Sequence, residues 1–254
     1  MINDDEGFSL NDLSQNEVPK TPVENSKKKI ILLIAISVMF IILISIIIFL
    51  LLRGKTNSSS DSGSEEGIDE SKKIGEINCQ YRIDDSSKEV PILSESFTKT
   101  SDFDIFINKK KVDYTTKYKF EKANSASVQF VLYEDISMDN MFKGIKELTS
   151  VIMISIKEAK VKSMESAFES CSNIKDFTIT GFNLDELRST KKMFYDSGLS
   201  ILNLKIPNLK NIEDMSYMFA SSQITEINFS NIDTNNAKNM SYMFDKCTSL
   251  IKVD

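Results

Sequence analysis

Between Gly75 and Asp135 apolar and polar residues alternate. The stretches EINCQYRI, DFDIFIN, YTTKYKF and SVQFVLYE each place side chains of opposite character on opposite faces, and clusters of Asp, Ser, Lys and Asn separate them. A period of two predicts half-buried strands, here a small antiparallel β domain over residues 75–135. After Asp135 the period lengthens. Phe142, Phe168, Phe194, Phe219 and Phe244 recur at spacings of 26, 26, 25 and 25 residues. A repeat of that length predicts a stack of similar units over residues 136–254 in place of a single globular core.

Other columns keep the register of the phenylalanines. Five residues before them stand Ser137, Ser163, Ser189, Asp214 and Asn239, short polar residues suited to an N-cap, followed by Met138, Met164, Thr190, Met215 and Met240. In the last unit Met240, Met243, Phe244 and Cys247 fall at i, i+3, i+4 and i+7, the stripe of a short amphipathic helix. Five or six residues after each phenylalanine an L-x-x-L-x-L pattern begins, at Leu148, Ile174, Leu199, Ile224 and Leu250, and predicts a strand. Two further apolar columns hold Ile156, Phe182, Pro207 and Ile232, and Val161, Leu187, Ile212 and Ala237. The expected fold is therefore an α/β leucine-rich-repeat-like solenoid, one short helix and one parallel strand per unit, preceded by the β domain and by one N-terminal transmembrane helix.

That helix is predicted from Ile30 to Leu52, 23 residues without a charge, which at ~1.5 Å per residue is long enough to cross a bilayer. Twenty-nine residues precede it and Arg53, Gly54 and Lys55 follow, so it reads as an uncleaved anchor and not as a signal peptide. Lys20, Lys27, Lys28 and Lys29 outweigh Arg53 and Lys55, which predicts a cytoplasmic N-terminus and extracellular repeats at the cell surface. Residues 1–29 read as a disordered cytoplasmic tail, and residues 53–74, rich in Ser, Gly and acids, as a low-complexity stalk.

Composition narrows the chemistry. The chain of 254 residues contains no histidine and no tryptophan, and its net charge is -6. The missing imidazole removes histidine-based triads, bases and zinc sites, and the acidic balance without a basic stripe argues against nucleic acid. Acid pairs such as Asp84 and Asp85 sit in loop-forming sequence. The chain reads as no enzyme, with neither catalytic residues nor a cofactor or metal site. Cys171 and Cys247 share a repeat column three units apart, ~14 Å at ~4.8 Å per stacked strand, too far for a disulfide. Both are expected to be free and buried; Cys79 is left over, with a bridge to Cys171 open.

The M-S-x-M-F-x-x-C-x-S-L block, followed by a strand and then N-I-D-T-N, resembles the BspA-type leucine-rich repeats of bacterial and protist surface proteins, also seen in mycoplasma surface lipoproteins. Asp214–Asp254 carries the resemblance most closely and Ser137–Ile212 more loosely, together a little under half of the chain. The resemblance implies a cell-surface protein, in some relatives an adhesin for host or matrix proteins. This chain departs from the bacterial members in its N-terminal anchor and in lacking a lipobox cysteine.

A ligand surface is expected on the polar side of the strand ladder, at Thr178, Asn203 and Asn228, flanked by Lys175, Asp176 and Glu226, with Ile152 and Asp254 in the same column. Ordinary solvated strand positions are the plain alternative. Asn57 and Asn228 head glycosylation sequons, and Asn239, in a third, is committed to capping. The expected function is a membrane-anchored surface protein, spanning once, that displays its repeats for protein or glycan binding. The alternative is a coat protein that self-associates. The fifth strand stops before its third anchor, which reads as truncation of the array or, alternatively, as an edge that pairs with another chain.

Overall fold

Nine consecutive residues, Gly75–Ile83, form strand β1, and its burial alternates as the sequence does: Ile77, Cys79, Tyr81 and Ile83 point into the core while Asn78, Gln80 and Arg82 face outward. The structure is a computed structural model that describes residues 67–202, 209–227 and 233–253, all within one compact unit, Gly63–Asp254. The apolar run Ile30–Leu52, the tail before it and the start of the stalk lie outside the described residues. Among the described residues no helix is long and apolar enough to cross a membrane.

Strands β2 (Val90–Pro91), β3 (Phe103–Ile107), β4 (Lys110–Val112), β5 (Lys117–Tyr118), β6 (Asn124–Leu132), β7 (Ile136–Ser137) and β8 (Leu148–Ser155) follow β1. Next come β9 (Val161–Ser163), β10 (Asp176–Thr180), β11 (Ile201–Leu202), β12 (Glu226–Ile227) and β13 (Lys252–Val253). The main sheet has six strands in the order β10-β8-β1-β6-β3-β4. β1 runs antiparallel to both β6 and β8, and β8 runs parallel to β10. β1 thus joins the alternating region to the repeats in a single sheet, so the antiparallel part is not a separate layer ahead of them. Strands β11, β12 and β13 form a second, parallel sheet.

The expected α/β leucine-rich-repeat solenoid is overturned: the described residues are β-rich and contain no helix. The methionine and phenylalanine blocks fold as successive turns. Met141 N, Lys143 N and Ile145 N donate three residues back, to Met138 O, Asn140 O and Phe142 O. The amides between them donate across to the next unit, Met138 N to Ser163 O, Asn140 N to Glu165 O, Phe142 N to Ala167 O and Gly144 N to Glu169 O, at 2.7–2.9 Å. The alternation recurs from the second unit to the third and from the third to the fourth, and Phe219 N and Ser221 N carry it to Met243 O and Asp245 O of the fifth. An α-helix would spend every amide internally, four residues back.

Alternate hydrogen bonding needs alternate backbone twist. Two residues before each phenylalanine, Asn140, Ser166, Lys192, Tyr217 and Tyr242 all have φ between 53° and 57°. Two residues after it, Gly144, Ser170, Asp196, Ser221 and Lys246 are also left-handed. Each left-handed non-glycine residue costs about 1 kcal/mol, and every unit carries the cost. The expected caps act here too, on a turn: Asp214 Oδ1 accepts from Ser216 N at 2.8 Å, and Asn239 Oδ1 from Ser241 N at 3.1 Å.

What offsets the strain lies inside. Phe142, Phe168, Phe194, Phe219 and Phe244 stack ring on ring with centroids 5.3–5.9 Å apart and planes within 9°. Phe130 of β6 caps the column edge-on at 5.8 Å. Such pairs add roughly 0.5–1.5 kcal/mol each beyond burial. Beside them lie Met138, Met141, Met193, Met215 and Met218, and the strand column Leu148, Ile174, Leu199 and Ile224, all buried. In the outer columns Phe182, Val161, Leu187 and Ile212 are buried, whereas Ile156, expected with them, is 53% exposed; Pro207 and Ile232 lie outside the described residues.

The three cysteines are free. The Cys171 and Cys247 thiols each donate at 2.9 Å to a phenylalanine carbonyl of the preceding unit, Phe142 O and Phe219 O. Burial pushes the Cys171 thiol up to about 12 and Cys79 further, the reverse of an activated nucleophile. Cys247 is only half-buried.

In native protein Ellman's reagent therefore titrates Cys247 alone, and urea releases Cys79 and Cys171. At the left-handed Ser166, Ser166→Gly leaves stability unchanged or raises it by up to about 1 kcal/mol, while Ser166→Val costs about 1–2 kcal/mol, read from urea midpoints. A Cβ on Gly198 would sit 2.0 Å from Ser172 O, so Gly198→Ala lowers stability by about 1–3 kcal/mol in the same assay.

Candidate functional site

The main sheet buries one face; on the other, Gln80, Ile152, Asp176 and Thr178 are exposed and Asn78 and Gln129 partly so, while Phe106 and Val131 are covered. Because six strands pair in register, outward residues line up in rows across the sheet. One row runs Lys111, Phe106, Gln129, Asn78, Ile152 and Thr178, from β4 to β10. The next holds Ser127, Gln80, Ser150 and Asp176. The rows are amide and hydroxyl rich, with one exposed aliphatic side chain, Ile152, 44% exposed.

Of the residues expected on the ligand face, Thr178 and Asp176 lie exposed on β10 in these rows. Lys175 precedes them and its Nζ donates to Gly198 O at 3.1 Å. Glu226 is exposed on β12 in the other sheet, paired in register with Ile201 and Lys252. Asn203, Asn228 and Asn57 lie outside the described residues. The structure therefore brings Thr178 and Asp176 onto one face with residues of the alternating region that sequence reasoning left out: Asn78, Gln80, Ser127 and Gln129. Their signal was present, since each is the polar member of an alternating pair. What was missing was the pairing of β1 with β8.

Toward the β3–β4 hairpin this face deepens into a cleft of about 350 Å³ lined by Asn78, Phe106, Asn108, Lys109, Ser127 and Gln129. Phe106, 1% exposed, forms its apolar floor. The Glu76 carboxylate behind it accepts from Asn78 Nδ2 at 2.8 Å and Gln129 Nε2 at 3.2 Å, and Lys73 Nζ pairs with it at 2.7 Å. Gln80 Nε2 donates to Ser127 Oγ at 3.1 Å. Further along, Asp104 accepts from Tyr133 at 3.0 Å and pairs with Lys111 at 2.7 Å. Burial first, and then the Asp104 carboxylate, push the Tyr133 phenol up to about 12, so it remains a neutral donor at physiological pH. Asp85, away from this face, is held down to about 2 by hydrogen bonds from Ser87 and Lys88. The arrangement binds and orients polar groups.

Known proteins give one point of contact. The family described as "Mycoplasma protein of unknown function, DUF285" matches residues 116–200 and 198–253. No curated protein and no solved structure matches significantly. The matched residues take in β6, the phenylalanine stack and the parallel strands, more than half of the sequence, and the chain accordingly belongs to the DUF285 family of Mycoplasma proteins of unknown function.

Proposed function

We propose that the chain is a membrane-anchored surface protein that displays its repeats and main sheet for binding protein or glycan. The observation that carries this reading is the polar face, where Gln129, Asn78, Ile152 and Thr178 stand in one row across four strands. An extended, hydroxyl- and amide-rich face is suited to recognition. The repeat blocks that resemble BspA-type surface proteins fall within the matched span, in keeping with display at the surface. Ile30–Leu52 supplies the anchor, single-pass, with the N-terminus cytoplasmic and the repeats outside.

Intact cells expressing the chain with different tags at its two ends are treated with protease and blotted beside permeabilised controls. Loss of the C-terminal tag with the N-terminal tag protected is the expected result, and those cells adhere to host cells, matrix proteins or glycans that control cells ignore. Protection of the C-terminal tag would sink the reading. Association of the chain with itself in proportion to concentration, without a foreign ligand, would replace it with a self-associating surface coat.

A further inference from the structure

We infer that the cleft at the β3–β4 hairpin is a saccharide subsite that takes one acidic sugar unit, a pyranose bearing a carboxylate; this rests on the surface-binding reading above and names the ligand class of that face. The hydrogen bonds on the page determine what the cleft offers. A carboxylate accepts and never donates, so Glu76 requires the NH2 groups of both Asn78 and Gln129 to turn toward it. Their carbonyl oxygens, Asn78 Oδ1 and Gln129 Oε1, then point elsewhere, and among the described residues neither accepts a hydrogen bond. Ser127 Oγ already accepts from Gln80, which leaves its own proton to donate. Two oriented acceptors and one donor above an apolar floor match adjacent hydroxyls on a ring with an apolar face. Since the Glu76 network holds the amides in place beforehand, little freedom is lost on binding.

Lys109 adds the charge. Asn108 and Lys109, with φ of 51° and 67°, are the two central residues of a tight hairpin between β3 and β4. The second of these positions is where glycine is the usual occupant. A lysine there keeps a strained backbone at the rim of the cleft, where its ammonium has no ion-pair partner among the described residues. The volume, about 350 Å³, lies at the small end of ligand sites, which run from about 300 to 1,000 Å³. A polynucleotide or a long anionic chain would want a run of cations across the sheet, whereas the neighbouring row position, Lys111, is already paired with Asp104.

The test uses the full-length chain purified in detergent and a printed panel of oligosaccharides ending in uronic or sialic acid, beside the same oligosaccharides with the carboxyl reduced. Members of the acidic set are bound over their reduced forms, and binding weakens as salt is raised. Asn78→Ala and Gln129→Ala each lower the affinity about tenfold, one to two hydrogen bonds' worth, with melting curves confirming that the variants stay folded. Lys109→Gln abolishes the preference for the acid and the salt dependence. Glycan binding untouched by the Asn78 and Gln129 substitutions would place it elsewhere and overturn the cleft assignment. Binding of a protein but of no glycan on the panel would overturn it too while leaving the surface-binding reading intact, and binding of nothing would remove both.

Discussion

Each backbone amide can be spent once, and in the repeats the spending alternates. One amide closes a turn three residues back, the next reaches the neighbouring unit, and the left-handed residues two before and two after each phenylalanine make the alternation geometrically possible. The units are consequently tied sideways along the turns as well as along the strands. Without the sideways bonds the strained positions would relax, and a 25-residue unit has no core of its own to hold them. Small and polar residues fill several of these sites, as the Ramachandran argument would ask, but Lys192, Tyr217 and Tyr242 are not the easy choices. Their presence shows that unit-to-unit bonding and the phenylalanine column outweigh the local preference.

The same lateral logic builds the candidate site. β8, which carries the first L-x-x-L block of the repeats, parallels β10 on one side and receives β1 antiparallel on the other. The alternating region thus serves as the end piece that covers the edge of β8, and Phe130 closes the aromatic column in the same place. Covering that edge has a functional by-product: it sets Asn78, Gln129 and Ser127 beside Ile152 and Thr178 on one surface. Neither region alone could present that face. The half-buried Glu76 carboxylate, held by Lys73 and two amides, then turns neighbouring polar side chains into an ordered set.

Much of this was legible in the chain. The repeat period, most of the buried columns of Phe, Met and Leu, the strand positions and the lack of a Cys171–Cys247 bridge follow from spacing, because each unit must bury the same side at the same interval whatever its backbone does; that Cys79 is also free did not. The helix did not follow, though the spacing suggested it. Met240, Met243, Phe244 and Cys247 at i, i+3, i+4 and i+7 satisfy a helix, and they equally satisfy a run of three-residue turns, in which Met243 is buried but Met240, expected with it, is 42% exposed. Ile156 was misplaced for a similar reason: its amide is taken by Ile74 O at the sheet end, which turns the side chain outward.

Sequence by itself determined which residues are inside and how often the pattern recurs, since burial of apolar area depends on side chains that can be read one at a time. Only the tertiary structure decided what the backbone amides bond to and which strand lies beside which. Those choices depend on partners some 25 residues away within the repeats and some 70 residues away between β1 and β8, and a hydrogen bond to a distant carbonyl leaves no mark on the residue that donates it.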